Sequence, residues 1–113
     1  MYTSIDQSRK LLELGLNPET ADMYYDIVPA PYTQSTVPGL KANQEVIKAS
    51  DLPCWSLDSL IRQLPIGSQI DIRKEGYYCY VVWENIGPVK SAIEAVTEGI
   101  TWLLKNDRYG KNV

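Results

Sequence analysis

The side chains that could carry chemistry in this 113-residue chain are thiols, carboxylates and phenols, because it contains 2 Cys, 14 Asp and Glu, 8 Tyr and no His. Imidazole general bases, Ser-His-Asp and Cys-His nucleophile systems and His-ligated zinc sites are therefore excluded. The sequence also has no glycine-rich phosphate-binding loop of the Walker or dinucleotide type. A reaction centre would have to use carboxylates, tyrosine or thiol alone.

Cys54 is the first candidate, because it lies just before a helix amino terminus predicted at Ser56. A helix dipole lowers the pKa of a nearby thiol and favours the reactive thiolate. The neighbours Pro53 and Trp55 favour packing instead, and we prefer the interpretation of a buried thiol. Cys79 lies in a predicted strand and is expected in the core. Two cysteines without a CxxC pair cannot complete a four-ligand metal site, so we expect no metal and no cofactor.

A local group of acids is the second candidate. Glu19, Asp22 and Asp26 lie close together in the sequence, beside Tyr24 and Tyr25. Paired carboxylates can do general acid-base work or hold a divalent cation. Their spacing matches no calcium loop, and acids in the first turn of a helix are also favoured by its dipole. We therefore predict a solvated acidic surface and assign no catalytic residue.

The choice of aromatic residues indicates a binding surface. The chain has 8 Tyr and 3 Trp but no Phe, so its aromatic side chains carry polar tips that suit interfaces and stacking platforms. We predict that Arg73, Tyr78 and Tyr80 form an interaction surface if the last helix covers the opposite side of their sheet. The simpler alternative is that the helix packs on these tyrosines and leaves only their hydroxyl groups at the rim.

The elements that must position these residues begin with capped helices. Ser4 and Asn17 are suitable amino-terminal caps, and Gly15 ends the first apolar stripe. Pro53 disfavours a helix before Ser56, which caps the next one. In the amino-terminal half we predict helices over 4–14, 18–23 and 56–64, strands over 24–28 and 45–49, and an irregular segment over 29–44.

A hairpin over 69–84 is the clearest element. A three-residue loop, Lys74-Glu75-Gly76, with Gly76 in the left-handed conformation, places Arg73 opposite Tyr77. The predicted faces are Ile70, Ile72, Tyr78, Tyr80 and Val82 on one side and Asp71, Cys79, Val81 and Trp83 on the other. Because the segment 81–83 is apolar on both faces, we predict that it occupies a central strand.

The carboxyl-terminal part of the chain contains the strongest amphipathic pattern. Residues 85–88 are predicted to turn the chain, and Ser91 caps a helix over 91–106. Gly99 costs up to ~1 kcal/mol relative to Ala in a helix, so a close approach to the sheet would explain it. The polar tail over 107–113 is expected to fray. Together the elements predict one α+β domain, an antiparallel sheet of three to four strands covered by the carboxyl-terminal helix and the amino-terminal helices.

Charge and hydropathy bear on partners and compartment. A formal net charge of -3 and a pI near 4.8 give nucleic acid no electrostatic attraction to the chain as a whole. The first residues do not form a secretion signal, and no apolar run approaches ~20 residues. We expect a cytoplasmic protein without membrane association, for which nucleic acid is a disfavoured partner.

Three stretches of the sequence are together similar to a known group: LLELGLNPETADM (11–23), PCWSL (53–57) and AIEAVTEGITWLL (92–104). They resemble short uncharacterised proteins of Bacteroides-type gut bacteria, commonly encoded on phage-like or conjugative elements. The resemblance implies a cytoplasmic protein from a mobile element and assigns no activity. Residues 70–104, a hairpin followed by a helix rich in Ala and Glu, are similar to HicB-like antitoxin domains.

These observations support three hypotheses about function. The leading one is a small interaction module that binds another protein or itself through a surface bearing Tyr and Trp, or through an exposed sheet edge. The alternative is a nucleic-acid-associated or antitoxin-like regulator. The third is a small enzyme that works without histidine.

Overall fold

The structure, a computed structural model, describes residues 1–43 and 50–109. Its helices are α1 (Ile5–Glu13), α2 (Leu57–Ile61) and α3 (Ala92–Lys105), with 3-10 turns at Pro18–Thr20 and Lys41–Asn43. Its strands are β1 (Met23–Tyr25), β2 (Gly39–Leu40), β3 (Leu52–Cys54), β4 (Gln69–Arg73), β5 (Gly76–Val81) and β6 (Glu84–Val89). Two antiparallel three-stranded sheets and three helices confirm the predicted α+β class. The strand predicted over 45–49 lies outside the described residues.

The predicted helix caps are confirmed where the signals are local. The Ser4 hydroxyl accepts a hydrogen bond from the Gln7 backbone amide, and the Gln7 side-chain oxygen accepts one from the Ser4 backbone amide. The two bonds complete a capping box. Ser56 caps α2 and Ser91 caps α3 in the same way, by accepting from an amide three residues on. The helix predicted over 18–23 is shorter than expected, because a 3-10 turn ends at Thr20 and β1 begins at Met23.

The first sheet has the strand order β2-β1-β3, and the amino-terminal segment extends it through a bridge between Tyr2 and Ser56. Neither β3 nor this bridge is predicted from the sequence. Thr3 fastens the segment from within: its hydroxyl accepts from the Trp55 amide at 3.1 Å and lies 2.7 Å from the Ser8 hydroxyl. Through these two contacts the fully buried Thr3 hydroxyl connects the amino-terminal segment to α1 and to the residue that follows β3.

The second sheet has the order β4-β5-β6, and the register of its first hairpin differs from the prediction. Arg73 lies opposite Gly76, so the loop contains only Lys74 and Glu75. The predicted pair of Arg73 with Tyr77 is wrong by one residue. Gly76 has a positive φ of 146° at the start of β5, and a Cβ there would lie 2.7 Å from the Val89 carbonyl oxygen. This glycine therefore serves the close approach of β6 rather than the loop.

The second turn of this sheet also differs from the prediction. Val82 and Trp83 reverse the chain in a two-residue loop, with Val81 opposite Glu84, so β5 ends before the two residues that were predicted to continue it. The predicted turn over 85–88 is instead part of β6. A register shift occurs between Tyr77 and Cys79, opposite Gly87, where a Cβ would lie 2.6 Å from the Tyr77 carbonyl oxygen. A bulge that needs glycine was thus interpreted as a turn.

Helix α3 packs across the second sheet and organises the core. At Gly99 a Cβ would lie 2.6 Å from Cys79 Sγ, which confirms the predicted close approach of this helix to the sheet. Between α3 and the sheet lies a buried cluster of Cys79 and Val81 from β5 and Ala95 and Leu103 from α3. A second buried cluster includes Leu11, Leu16, Trp55, Leu60, Val96 and Ile100. Tyr109 packs against both clusters and donates to Gln63 Oε1 at 2.7 Å. Residues 110–113 of the tail that is predicted to fray lie outside the described residues.

Candidate functional site

The helix side of the second sheet determines which side chains face away from α3. Cys79 and Val81 are fully buried next to Gly99 of α3, and successive side chains on a strand point to opposite faces. Tyr78 and Tyr80 therefore lie on the other side of the sheet. With their cross-strand partners they form the helix-free face, which consists of Gln69, Asp71, Arg73, Tyr78 and Tyr80.

The observed register changes part of the predicted grouping. Directly opposed residues share a face, and Ile70 lies opposite Cys79 while Ile72 lies opposite Tyr77. The two isoleucines are thus on the helix side rather than beside the tyrosines. Asp71, which was predicted on the side of Cys79, lies opposite Tyr78. The one-residue difference in loop length is the physical reason, because side chains alternate with a period of two.

Arg73 is at the centre of the polar contacts on the helix-free face. Its guanidinium carbon lies 4.6 Å from the centroid of the Tyr78 ring, within the range of a cation-π contact. Its Nη2 atom lies 3.2 Å from Asp71 Oδ2. The Tyr78 hydroxyl donates to Glu75 Oε1 at 3.3 Å, and partial desolvation together with the Glu75 carboxylate raises the pKa of Tyr78. The tyrosine is therefore neutral and held between charges of both signs.

An apolar cleft of about 180 Å³ adjoins this face at the turn between β5 and β6. The Trp83 cleft, as we name it, is lined by Pro65, Ile66, Gly67, Tyr80, Val82 and Trp83. Ile66 is 94% exposed and Trp83 is 82% exposed. This cleft is not predicted from the sequence, because the apolar run over 81–83 places Trp83 within a strand. The alternative that reveals it is a two-residue turn at Val82 and Trp83, which pairs Val81 with Glu84 and Tyr80 with Asn85.

The turn that presents Trp83 is strained. Val82 has φ 46° and Trp83 has φ 69°, whereas two-residue hairpin turns with positive φ strongly favour Asn-Gly. A β-branched residue in this conformation is a genuine outlier, and each such residue costs on the order of 1–3 kcal/mol. Strain of this kind is commonly retained at sites of function, because folding alone would favour less costly residues. The turn therefore holds an exposed tryptophan in a conformation that its residue type disfavours.

Cys54 does not have the environment of a reactive thiol. It is fully buried, its Sγ donates to the Thr3 carbonyl oxygen at 3.3 Å, and desolvation raises its pKa despite the hydrogen bonds that favour the thiolate. Helix α2 has only five residues, which limits the dipole that could lower this pKa. Burial also raises the pKa of the Cys79 thiol to about 11. These environments support the packed-thiol interpretation.

Asp22 and Glu19, two of the acids near β1, contact different partners. Asp22 accepts from the Ser56 amide at 2.9 Å and from the Ser56 hydroxyl at 2.5 Å. Burial alone would raise the pKa of Asp22, but these hydrogen bonds lower it, and the net shift is downward. Glu19 lies 4.0 Å from Lys41 Nζ. Among the described residues, no group of three Cys, Asp or Glu side chains is arranged to hold a metal ion.

A cleft of about 800 Å³ lies between the amino termini of α1 and α3. Tyr2, Ile5 and Tyr25 supply its aromatic and apolar lining, and Asp6 and Glu94 are its two acids. The Tyr25 hydroxyl donates a hydrogen bond to the Thr3 carbonyl oxygen at 2.7 Å, and the Glu94 carboxylate accepts one from the Lys90 amide at 3.4 Å. Its polar groups thus mainly serve the local structure.

Comparison with known proteins gives no relative: no family model matches the chain, and neither a curated protein nor a solved structure is significantly similar to it. The resemblances to Bacteroides-type proteins and to HicB-like antitoxins therefore stay predictions. In the part of the chain that the structure describes, no helix has both the length and the apolar character needed to cross a bilayer.

Proposed function

We propose that this protein is a small interaction module that binds another protein through the helix-free face and the adjoining Trp83 cleft. The observation that carries the proposal is the exposed Trp83 side chain, held beside Tyr80 by a strained turn. Nothing in the packing of the described residues requires a tryptophan at this position, because 82% of its surface is exposed.

The composition of this surface suits protein recognition. Trp, Tyr and Arg are the residue types that most often dominate binding energy at interfaces, and all three occur here. Tyr80 and Trp83 line the apolar cleft at the β5–β6 turn, while Asp71, Arg73 and Glu75 supply charges toward the β4–β5 turn at the other end of β5. Protein interfaces commonly combine apolar and charged areas of this kind.

The test is affinity capture from a bacterial lysate with the normal chain and two variants. Trp83→Gly removes the side chain and relieves the positive φ, so it should keep the fold and lose the partner. Tyr32→Gly is the matched control, because Tyr32 is 73% exposed but lies outside the second sheet. A partner that is captured equally by all three chains, or no partner at all, would contradict the proposal.

Nucleic-acid binding is the second candidate, favoured by one observation: Arg73 stacks on Tyr78 beside Tyr80, as in platforms that bind single strands. The acids Asp71 and Glu75 contact the same groups and oppose a phosphate backbone. Retention on single-stranded DNA or RNA at physiological salt that falls steeply as salt rises would favour this candidate over the first. An enzyme without histidine, the cytoplasmic location and the origin in a mobile element stay predictions.

A further inference from the structure

The two edges of the second sheet differ in whether they can accept another strand. Strand β6 contains Pro88 and the bulge at Gly87, both of which interrupt pairing along an edge. Strand β4 has no proline or bulge, and within residues 1–43 and 50–109 it pairs with β5 alone. The outer edge of β4 therefore offers a regular row of backbone donors and acceptors.

The register of the hairpin shows which residues supply those groups. Arg73 and Gly76 enclose a two-residue loop, so their pairing requires hydrogen bonds between these two residues themselves. Hydrogen-bonded and non-bonded pairs alternate along an antiparallel ladder, so Asp71 and Gln69 also bond to β5. The N–H and C=O groups of Ile70 and Ile72 therefore point outward.

We propose that two copies of this chain pair antiparallel through β4 about a two-fold axis, with Ile72 opposite Ile72 of the second copy. In this register the two Ile72 residues exchange backbone hydrogen bonds. Asp71 then lies opposite Arg73 of the second copy, in a non-bonded pair, where opposed side chains come closest. The two symmetric Asp-Arg pairs join the existing contact of 3.2 Å between Asp71 and Arg73 into a group of four alternating charges.

The charges also exclude the neighbouring registers. The outward-pointing residues of the two strands stay paired only if one strand slides by an even number of residues. A slide of two residues moves the two-fold axis by one residue, so the nearest alternative registers are centred on residue 71 or residue 73 instead of Ile72. One of them places Asp71 opposite Asp71 and the other places Arg73 opposite Arg73. Like charges directly opposed on a sheet are destabilising, so β4 is complementary to itself in one register and repulsive in the two nearest.

The exposure of Ile72 supports a second copy as the occupant. Ile72 lies on the helix side of the sheet, opposite Tyr77, yet it is 76% exposed. In the proposed pair, Ile72 of each copy covers its counterpart on the same face of a continuous six-stranded sheet. Two five-residue strands form a small interface, below about 1,200 Å² in total, which indicates a weak dimer with a micromolar dissociation constant.

Charge variants test the pairing, measured by sedimentation equilibrium of the full chain up to about 100 μM, where a dimer with a dissociation constant of about 10 μM predominates. Asp71→Lys places two positive charges opposite each other in every pair, and Arg73→Glu places two negative charges there. Each variant alone should dimerise at least about tenfold more weakly than the normal chain. An equimolar mixture of the two should recover a dimer, because every opposed pair again has opposite signs.

A backbone variant and an exchange measurement test the edge itself. Ile72→Pro removes an N–H that points away from β5, so it should block the dimer and keep the hairpin. In the normal chain, amide hydrogen exchange at Ile70 and Ile72 should slow as concentration rises. The amides of Asp71 and Arg73 are the internal control, because they bond to β5 in the monomer as well.

Three results would overturn the inference: a normal chain that is monomeric throughout this range, a dimer that withstands both charge variants, or a mixture that stays monomeric. Asp71 and Arg73 belong to both surfaces, but the dimer does not need the Trp83 cleft, so Trp83→Gly should not alter dimerisation. Loss of partner capture with an intact dimer, or the reverse, separates the two proposals.

Discussion

Replacing Gly99 by alanine tests the packing of α3 on the second sheet. In an exposed helix this change would stabilise the protein by about 1 kcal/mol, because alanine is the better helix former. Here the new Cβ would lie 2.6 Å from Sγ of Cys79, which is fully buried. Overpacking of a core costs about 1–3 kcal/mol. We therefore expect Gly99→Ala to lower the free energy of unfolding by up to about 2 kcal/mol.

Cys79→Ala provides the matched background for this test. It removes the sulfur, and the next atom that the Gly99→Ala methyl group would meet is the Cβ of residue 79 at 3.4 Å, a tight but tolerable contact. In that background the helix preference should dominate, so Gly99→Ala should stabilise by about 1 kcal/mol. The double-mutant cycle then gives a coupling energy of about 1–3 kcal/mol.

The assay is urea unfolding of the four chains, followed by far-ultraviolet circular dichroism and checked by thermal unfolding. One kcal/mol corresponds to about 4 °C in Tm for a chain of this size. A stabilisation of about 1 kcal/mol by Gly99→Ala in both backgrounds, with coupling below about 0.3 kcal/mol, would refute the close approach of α3 to Cys79.

Two further predictions concern polar contacts of the first sheet. Asp22→Asn should destabilise by about 1 kcal/mol near neutral pH, because the Ser56 amide and hydroxyl lose a charged acceptor at an exposed site. The pKa of Asp22 is lowered from 3.8, so its contribution is present above that pH and is lost as pH falls through the folded pKa. Urea unfolding of both chains from pH 7 downward should show the difference shrink below about pH 4; a constant difference would contradict the assignment. Thr3→Val keeps the shape but deprives the Trp55 amide and the Ser8 hydroxyl of a partner, so it should destabilise by about 1–3 kcal/mol in the same assay; an unchanged midpoint would show that the hydroxyl is dispensable.

What the sequence predicted correctly depended on local signals. The caps at Ser4, Ser56 and Ser91 act within one helical turn, so their residue types are sufficient evidence. Gly99 was informative for a similar reason, because an unfavourable residue inside a clear helical stripe indicates a tertiary contact.

What the sequence predicted wrongly depended on contacts between distant residues. Gly76 was assigned to the loop, but its requirement comes from the Val89 carbonyl of β6, which no local pattern contains. The apolar run over 81–83 predicts a strand for Trp83, whereas the tertiary structure holds this residue in a turn with a positive φ that its type disfavours. Tyr78 and Tyr80 were grouped correctly all the same, since residues two apart on one strand share a face in any register.

The interruption of β6 by Pro88 and the Gly87 bulge limits how far this sheet can grow. A fibril requires every strand stack to offer two open edges, one for the subunit already present and one for the next. Within the described residues, the proline and the bulge of β6 interrupt one edge of the second sheet, and β4 forms its other, regular edge. Pairing through β4 occupies this edge in both molecules, so no third copy can add to the sheet there. The proline and the bulge of β6 therefore limit the extended sheet to two copies and protect it from aggregation.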